Sequence, residues 1–119
     1  MAGRLTTHVL DIANGRPATG LAIELWWVGR KPTPQALLKT LMTNAEGRTD
    51  EPLLAGDECK AGTYELSFAV GDYFTGQPGV TNPPFLDQVP IRFTIADPGQ
   101  HYHVPLLVAP WAYSTYRGS

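Results

Sequence analysis

With 119 residues, 43% of them hydrophobic and 17% charged, the chain is the size of one domain and can bury a core unaided by disulfides or metals. A net charge of −2 excludes the basic stripe of a nucleic-acid binder and the polybasic patch of a membrane-surface protein. No apolar run approaches the ~18 residues of a membrane span, and the low charge with eleven prolines and twelve glycines predicts many turns and some surface covered by association.

Leu5 to Ile12 is a short β-prone segment, closed by the turn signal Asn14-Gly15-Arg16-Pro17. Leu21 to Val28 alternates, with Leu21, Ile23 and Leu25 on one face. The adjacent Trp26 and Trp27 point to opposite faces, so at least one is expected in the core. A loop from Gly29 to Pro34 leads to Ala36–Thr43, too short for a typical helix and read as a strand. Glu46-Gly47 turns the chain into Arg48-Thr49-Asp50. Gly56 to Gly62 is a polar break, and Thr63 to Val70 alternates with Tyr64, Leu66, Phe68 and Val70 on one side. Asp72 to Gln77 is expected to form one helical turn before a long proline-rich loop to Pro84. Val89 to Ile95 and His101 to Ala109 are strands joined by the turn Asp97-Pro98-Gly99, and a last strand follows Pro110. Seven or eight short strands with almost no helix predict an all-β, antiparallel two-sheet sandwich filling residues 1–119 as one domain.

Cys59 is the single cysteine and lies among acids, which does little to favour a thiolate; a passive thiol is expected. The chain opens without a basic-then-apolar leader and closes on Arg-Gly-Ser, so the expected location is the cytoplasm. Strand alternation places Thr7, Val9 and Asp11 inward and Thr6, His8 and Leu10 outward. By the same rule His101, His103, Pro105 and Leu107 share a face opposite Tyr102, Val104 and Leu106. Pro105 in mid-strand implies a sheet edge or an interrupted ladder. The outward histidines admit three readings: surface or packing residues, a metal site, or acid–base hydrolysis with Arg48 stabilising negative charge. His101-x-His103 lacks the further Asp, Glu or Cys that would complete a zinc set, so a metal site is not expected. No Gly-x-Ser-x-Gly elbow, phosphate loop or dinucleotide fingerprint is present.

Four segments occur in order: Leu5-Thr6-Thr7-His8-Val9-Leu10-Asp11, Gly47-Arg48-Thr49-Asp50, His101-Tyr102-His103-Val104-Pro105-Leu106-Leu107, and the terminal Tyr113-Ser114-Thr115-Tyr116-Arg117-Gly118-Ser119. Together they resemble the transthyretin-like family and, within it, the 5-hydroxyisourate hydrolases of purine degradation. The terminal Tyr-Arg-Gly-Ser is the most discriminating piece. The resemblance implies an eight-stranded sandwich with one short helix, paired by its edges into dimers and stacked into a homotetramer with a central channel. It implies a cyclic amide hydrolase that opens the six-membered ring of 5-hydroxyisourate to 2-oxo-4-hydroxy-4-carboxy-5-ureidoimidazoline. His8, Arg48, His103 and Ser119 would be catalytic, and Tyr116 would contact substrate with His8 and Arg48. One histidine, oriented by Ser119, would polarise water while the other positions substrate or protonates the departing nitrogen; which is which stays open. Gly118 would keep the chain end slim beside the substrate. Arg30 to Leu41 is longer than the family pattern, and Asn82 to Gln88 is richer in proline. The competing expectation is a transthyretin-type carrier of small ligands without catalysis.

Overall fold

The computed structural model describes residues 3–30 and 32–118. Nine strands form two sheets: β1 (Arg4–Asp11), β2 (Arg16–Pro17), β3 (Ala22–Trp27), β4 (Ala36–Met42), β5 (Leu54–Ala55), β6 (Gly62–Ala69), β7 (Gln88–Ile95), β8 (His101–Ala109) and β9 (Ala112–Thr115). One sheet runs β2-β1-β8-β9, with β5 also on β1, and the other runs β4-β3-β6-β7. Inward positions of β1, β3, β6 and β8, among them Leu5, Val9, Ile23, Leu25, Leu66, Phe68 and Leu106, are fully buried and close the space between the sheets. Trp27 packs edge-on against Tyr64 at 5.2 Å, whereas Trp26 faces outward and donates its ring N–H to Glu24 at 3.1 Å. Burial and one hydrogen bond from Sγ to the Gly3 carbonyl account for Cys59, whose thiol is pushed up by burial first and by Glu58 second.

Two features depart from the alternation-based reading. Every strand pairing is antiparallel except β1 with β8, which is parallel over eight residue pairs from Arg4↔His101 to Asp11↔Val108. A parallel neighbour needs a crossover, and here the whole second sheet lies in sequence between the two strands. The helical turn, α1 (Val70–Phe74), begins two residues earlier than expected. Val70 and Phe74 are buried at its two ends, so helix and strand spacing both satisfy the apolar pattern there. Among the described residues no helix is long and apolar enough to cross a membrane.

Asp11 occupies an inward position at the end of β1 and is buried, yet it is fully bonded. Its carboxylate accepts from the Ala13 and Asn14 backbone N–H at 3.1 and 2.9 Å, from Asn14 Nδ2 at 2.7 Å and from the Tyr73 hydroxyl at 2.8 Å. Burial pushes the carboxyl up, but the bonds from Asn14, Tyr73 and Ala13 outweigh it and hold the pKa below its usual 3.8. Burial and the same carboxylate raise the Tyr73 hydroxyl to about 12. A lowered folded-state pKa stabilises the fold above the unfolded value and loses that contribution as pH falls through the folded one. Asp11→Ala should therefore destabilise the protein by about 2–3 kcal/mol at pH 7, read as a lower urea midpoint, with the difference from the parent shrinking below pH 3.8.

Candidate functional site

The outward face of β1 and β8 carries the candidate site. In the parallel register Thr6 stands opposite His103 and His8 opposite Pro105, so both histidines leave the sheet on the side away from the core, as their alternation requires. Thr6 Oγ1 lies 2.9 Å from His103 Nδ1. The His8 ring donates from Nε2 to the Glu46 carbonyl at 2.9 Å.

Arg48 arrives on a turn organised by Asn44. The Asn44 side-chain oxygen accepts from the Glu46 and Arg48 backbone N–H at 2.9 and 3.2 Å, while its own N–H donates to the Arg48 carbonyl at 2.7 Å. Gly47 joins this turn to the sheet, its carbonyl accepting the Val9 N–H at 2.8 Å. At φ +77° a side chain on Gly47 would be strained, and its Cβ would stand 2.4 Å from the Val9 carbonyl oxygen and 3.3 Å from the His8 ring. Glycine is thus what lets the arginine-bearing turn lie against His8.

Arg48 and His103 line one open cavity of about 540 Å³, together with Arg4, Thr6, Asp50 and His101 among others. His8 lies beside it, close enough for its charge to act on His103. The His103 pKa is held below the ordinary 6.5, first by burial, then by the Arg48 guanidinium, then by His8; a hydrogen bond to the Thr6 backbone opposes them. A half-buried imidazole kept neutral beside a fixed cation can accept a proton from water next to a site for developing negative charge. Among the described residues no group of three or more His, Cys, Asp or Glu side chains gathers in a metal-binding arrangement.

The C-terminal arm reaches the site through an interrupted ladder. β9 pairs with β8 down to Leu106↔Thr115, and the same register resumes at the single bridge His103↔Gly118. Between them Tyr116 would face Pro105, which has no N–H to give; the Pro105 carbonyl instead accepts the Thr115 hydroxyl at 2.7 Å. β8 is an interior strand, so of the two meanings of a mid-strand proline the interruption is the one realised. Released from the ladder, Tyr116 is 61% exposed and lines a different hollow, of about 330 Å³, with Ile91, Phe93 and Arg117. Within one chain it therefore does not join Arg48 and His103. Gly118 lies against the His103 ring itself. Ser119 lies outside the described residues.

Thr6 and Asn44 escaped the sequence reading as contributors. Thr6 shares its face with His8 by simple alternation, and Asn44 opens an Asn-x-x-Gly turn; both signals were present in the residues.

Residues 5–118 match the model of the HIUase/Transthyretin family. The 5-hydroxyisourate hydrolase of Mesorhizobium japonicum is 58% identical over 118 residues, covering 98% of this chain and 93% of that protein. The crystal structure of (S)-allantoin synthase superposes with a TM-score of 0.91 at 45% identity over 99% of this chain, which spans only 44% of that longer protein. Sea bream transthyretin in complex with thyroxine superposes with a TM-score of 0.84, at 26% identity over 97% of this chain and 94% of its own. The sandwich, the motifs and these likenesses agree: the chain belongs to the HIUase/Transthyretin family.

Proposed function

We propose that this chain hydrolyses 5-hydroxyisourate in urate breakdown, with no metal or organic cofactor. The observation that carries the reading is His103, kept neutral and half-buried, in one cavity with the guanidinium of Arg48. The relative named as a 5-hydroxyisourate hydrolase supports it, at more than twice the identity of the thyroxine-bound transthyretin. An apolar carrier site would not be lined with Arg4, Arg48, Asp50 and two histidines.

In the reaction we infer, His103 takes a proton from water as the water oxygen bonds to a ring amide carbon of the substrate. The carbonyl oxygen gains the negative charge and is stabilised by Arg48, whose planar fork suits the carbonyl edge of the substrate. The C–N bond then breaks as the oxyanion collapses, and the departing nitrogen takes a proton from the protonated imidazole. His8, with Nε2 committed to the Glu46 carbonyl, serves to position substrate through its remaining face. Ser119 is proposed as a further hydrogen-bond partner of the histidines.

Tyr116 is assigned to substrate contact only within an assembly, since in its own chain it lines a hollow other than the cavity of Arg48 and His103. A homotetramer would supply this. The exposed β9 edge and the exposed Trp111, Tyr113 and Tyr116 are the surface such an assembly would cover.

The test is the absorbance decay of 5-hydroxyisourate freshly made by urate oxidase, with and without the protein. Wild-type protein should accelerate it, and His103→Ala and Arg48→Ala should each lose about 10²–10⁴ in kcat/KM; unaltered decay with wild-type protein would refute the hydrolase reading. Because the His103 pKa lies below 6.5, kcat/KM should hold through neutrality and fall only on the acid side of 6.5. Light scattering should give a mass about four times the 13.0 kDa of one chain; a monomer would remove the assembly-borne role of Tyr116.

A further inference from the structure

On the reading that His103 is the general base, we propose that Thr6 and Gly118 are positioning residues that clamp its imidazole from two sides and hold the proton on Nδ1, leaving Nε2 free to act. Thr6 is the residue directly across the parallel ladder, with its hydroxyl 2.9 Å from Nδ1. A neutral imidazole carries one N–H. If Nδ1–H donates to the Thr6 hydroxyl, the lone pair sits on Nε2, which has no hydrogen-bond partner among the described residues.

The opposite side of the ring is closed by the C-terminal arm. The Gly118 N–H donates to the His103 carbonyl at 2.8 Å, which brings the arm backbone against the imidazole. A Cβ on Gly118 would lie 2.5 Å from His103 Cδ2 and 3.2 Å from its Cβ and Cγ. No carbon pair tolerates 2.5 Å, so any side chain at 118 must displace the arm or rotate the ring off Thr6. Glycine is needed here for close approach to the histidine.

The arm is itself latched. The Arg117 guanidinium sits 4.3 Å over the Tyr102 ring and donates to Gln100 Oε1 and the His101 carbonyl at 3.2 and 3.3 Å. Tyr102 is fixed in turn, its hydroxyl accepting the Ala96 and Asp97 N–H at 3.2 and 3.0 Å. The charged groups around the ring are Arg4 on β1, Arg48, Asp50 and Glu51 on the loop before β5, and His101 on β8, with His8 alongside. None of them bonds Nδ1; among the described residues the Thr6 hydroxyl is the partner at that nitrogen.

The test measures kcat and KM on fresh 5-hydroxyisourate across pH for wild type, Thr6→Val, Thr6→Ser and Gly118→Ala, together with the ¹⁵N shifts of the His103 ring in wild type and Thr6→Val. Valine is nearly isosteric with threonine and equally β-prone, so the strand should persist. Thr6→Val and Gly118→Ala should lower kcat by about 10- to 100-fold with KM changed by no more than about twofold, the mark of a misplaced catalytic group. Thr6→Val should also move the acid limb to lower pH, because the protonated ring loses an acceptor, while Thr6→Ser should keep the wild-type rate and limb. The wild-type ring should carry its proton on Nδ1, and Thr6→Val should show a mixture. A Thr6→Val enzyme with wild-type kcat and acid limb, a Thr6→Ser enzyme as impaired as Thr6→Val, or a wild-type ring protonated on Nε2 would overturn the clamp. Should wild type fail to hydrolyse the substrate, the functional reading falls, and the ring shifts alone still decide the clamp.

Discussion

The parallel ladder between β1 and β8 is the constraint on which the site depends. It sets Thr6 against His103 and His8 two residues further along, and it does so with the same register that seats Leu5, Val9 and Leu106 in the core. Strand side chains alternate with period two, so a slip of one residue in either strand would bury imidazoles and expose those apolar groups. Full burial of each such side chain is worth about 1.5–3 kcal/mol, so the hydrophobic pattern fixes the histidines' direction far more firmly than any polar contact at the site.

Two distant segments are brought to this ladder by backbone bonds. The Asn44–Arg48 turn is tied to β1 through the Gly47 carbonyl, and the C-terminal arm to β8 through the Gly118 N–H. In both places a glycine permits contact with a histidine that a Cβ would prevent. The electrostatic result is a contest on His103. Burial, Arg48 and His8 all disfavour its protonated form, while a bond to the Thr6 backbone favours it, and the first group wins. In the proposed reaction a base poised in this way would be ready near neutrality, and the cation that helps keep it neutral would take up charge from the reacting carbonyl.

Much of this was legible in the residues. Alternation assigned the inward and outward faces of β1 and β8 and put Thr7, Val9 and Asp11 on the core side, where they lie. The family resemblance named Arg48 and His103, which share a cavity. The parallel sense of the β1–β8 pairing was not legible, because it depends on how a whole sheet intervenes between two strands rather than on either strand's pattern. The course of Tyr116 was hidden for a similar reason. Pro105 announced an interruption, but only the β8–β9 register shows that the missing N–H falls opposite Tyr116. The early start of α1 reflects buried positions at Val70 and Phe74 that fit either period.

The central claim is that the fold holds His103 neutral beside Arg48. It is tested most directly by an NMR titration of the His103 ring in the wild-type protein and in Arg48→Gln. The account predicts a wild-type midpoint below 6.5 and an upward shift when the arginine charge is removed. A midpoint at or above 6.5, or one that does not respond to the loss of Arg48, would contradict it.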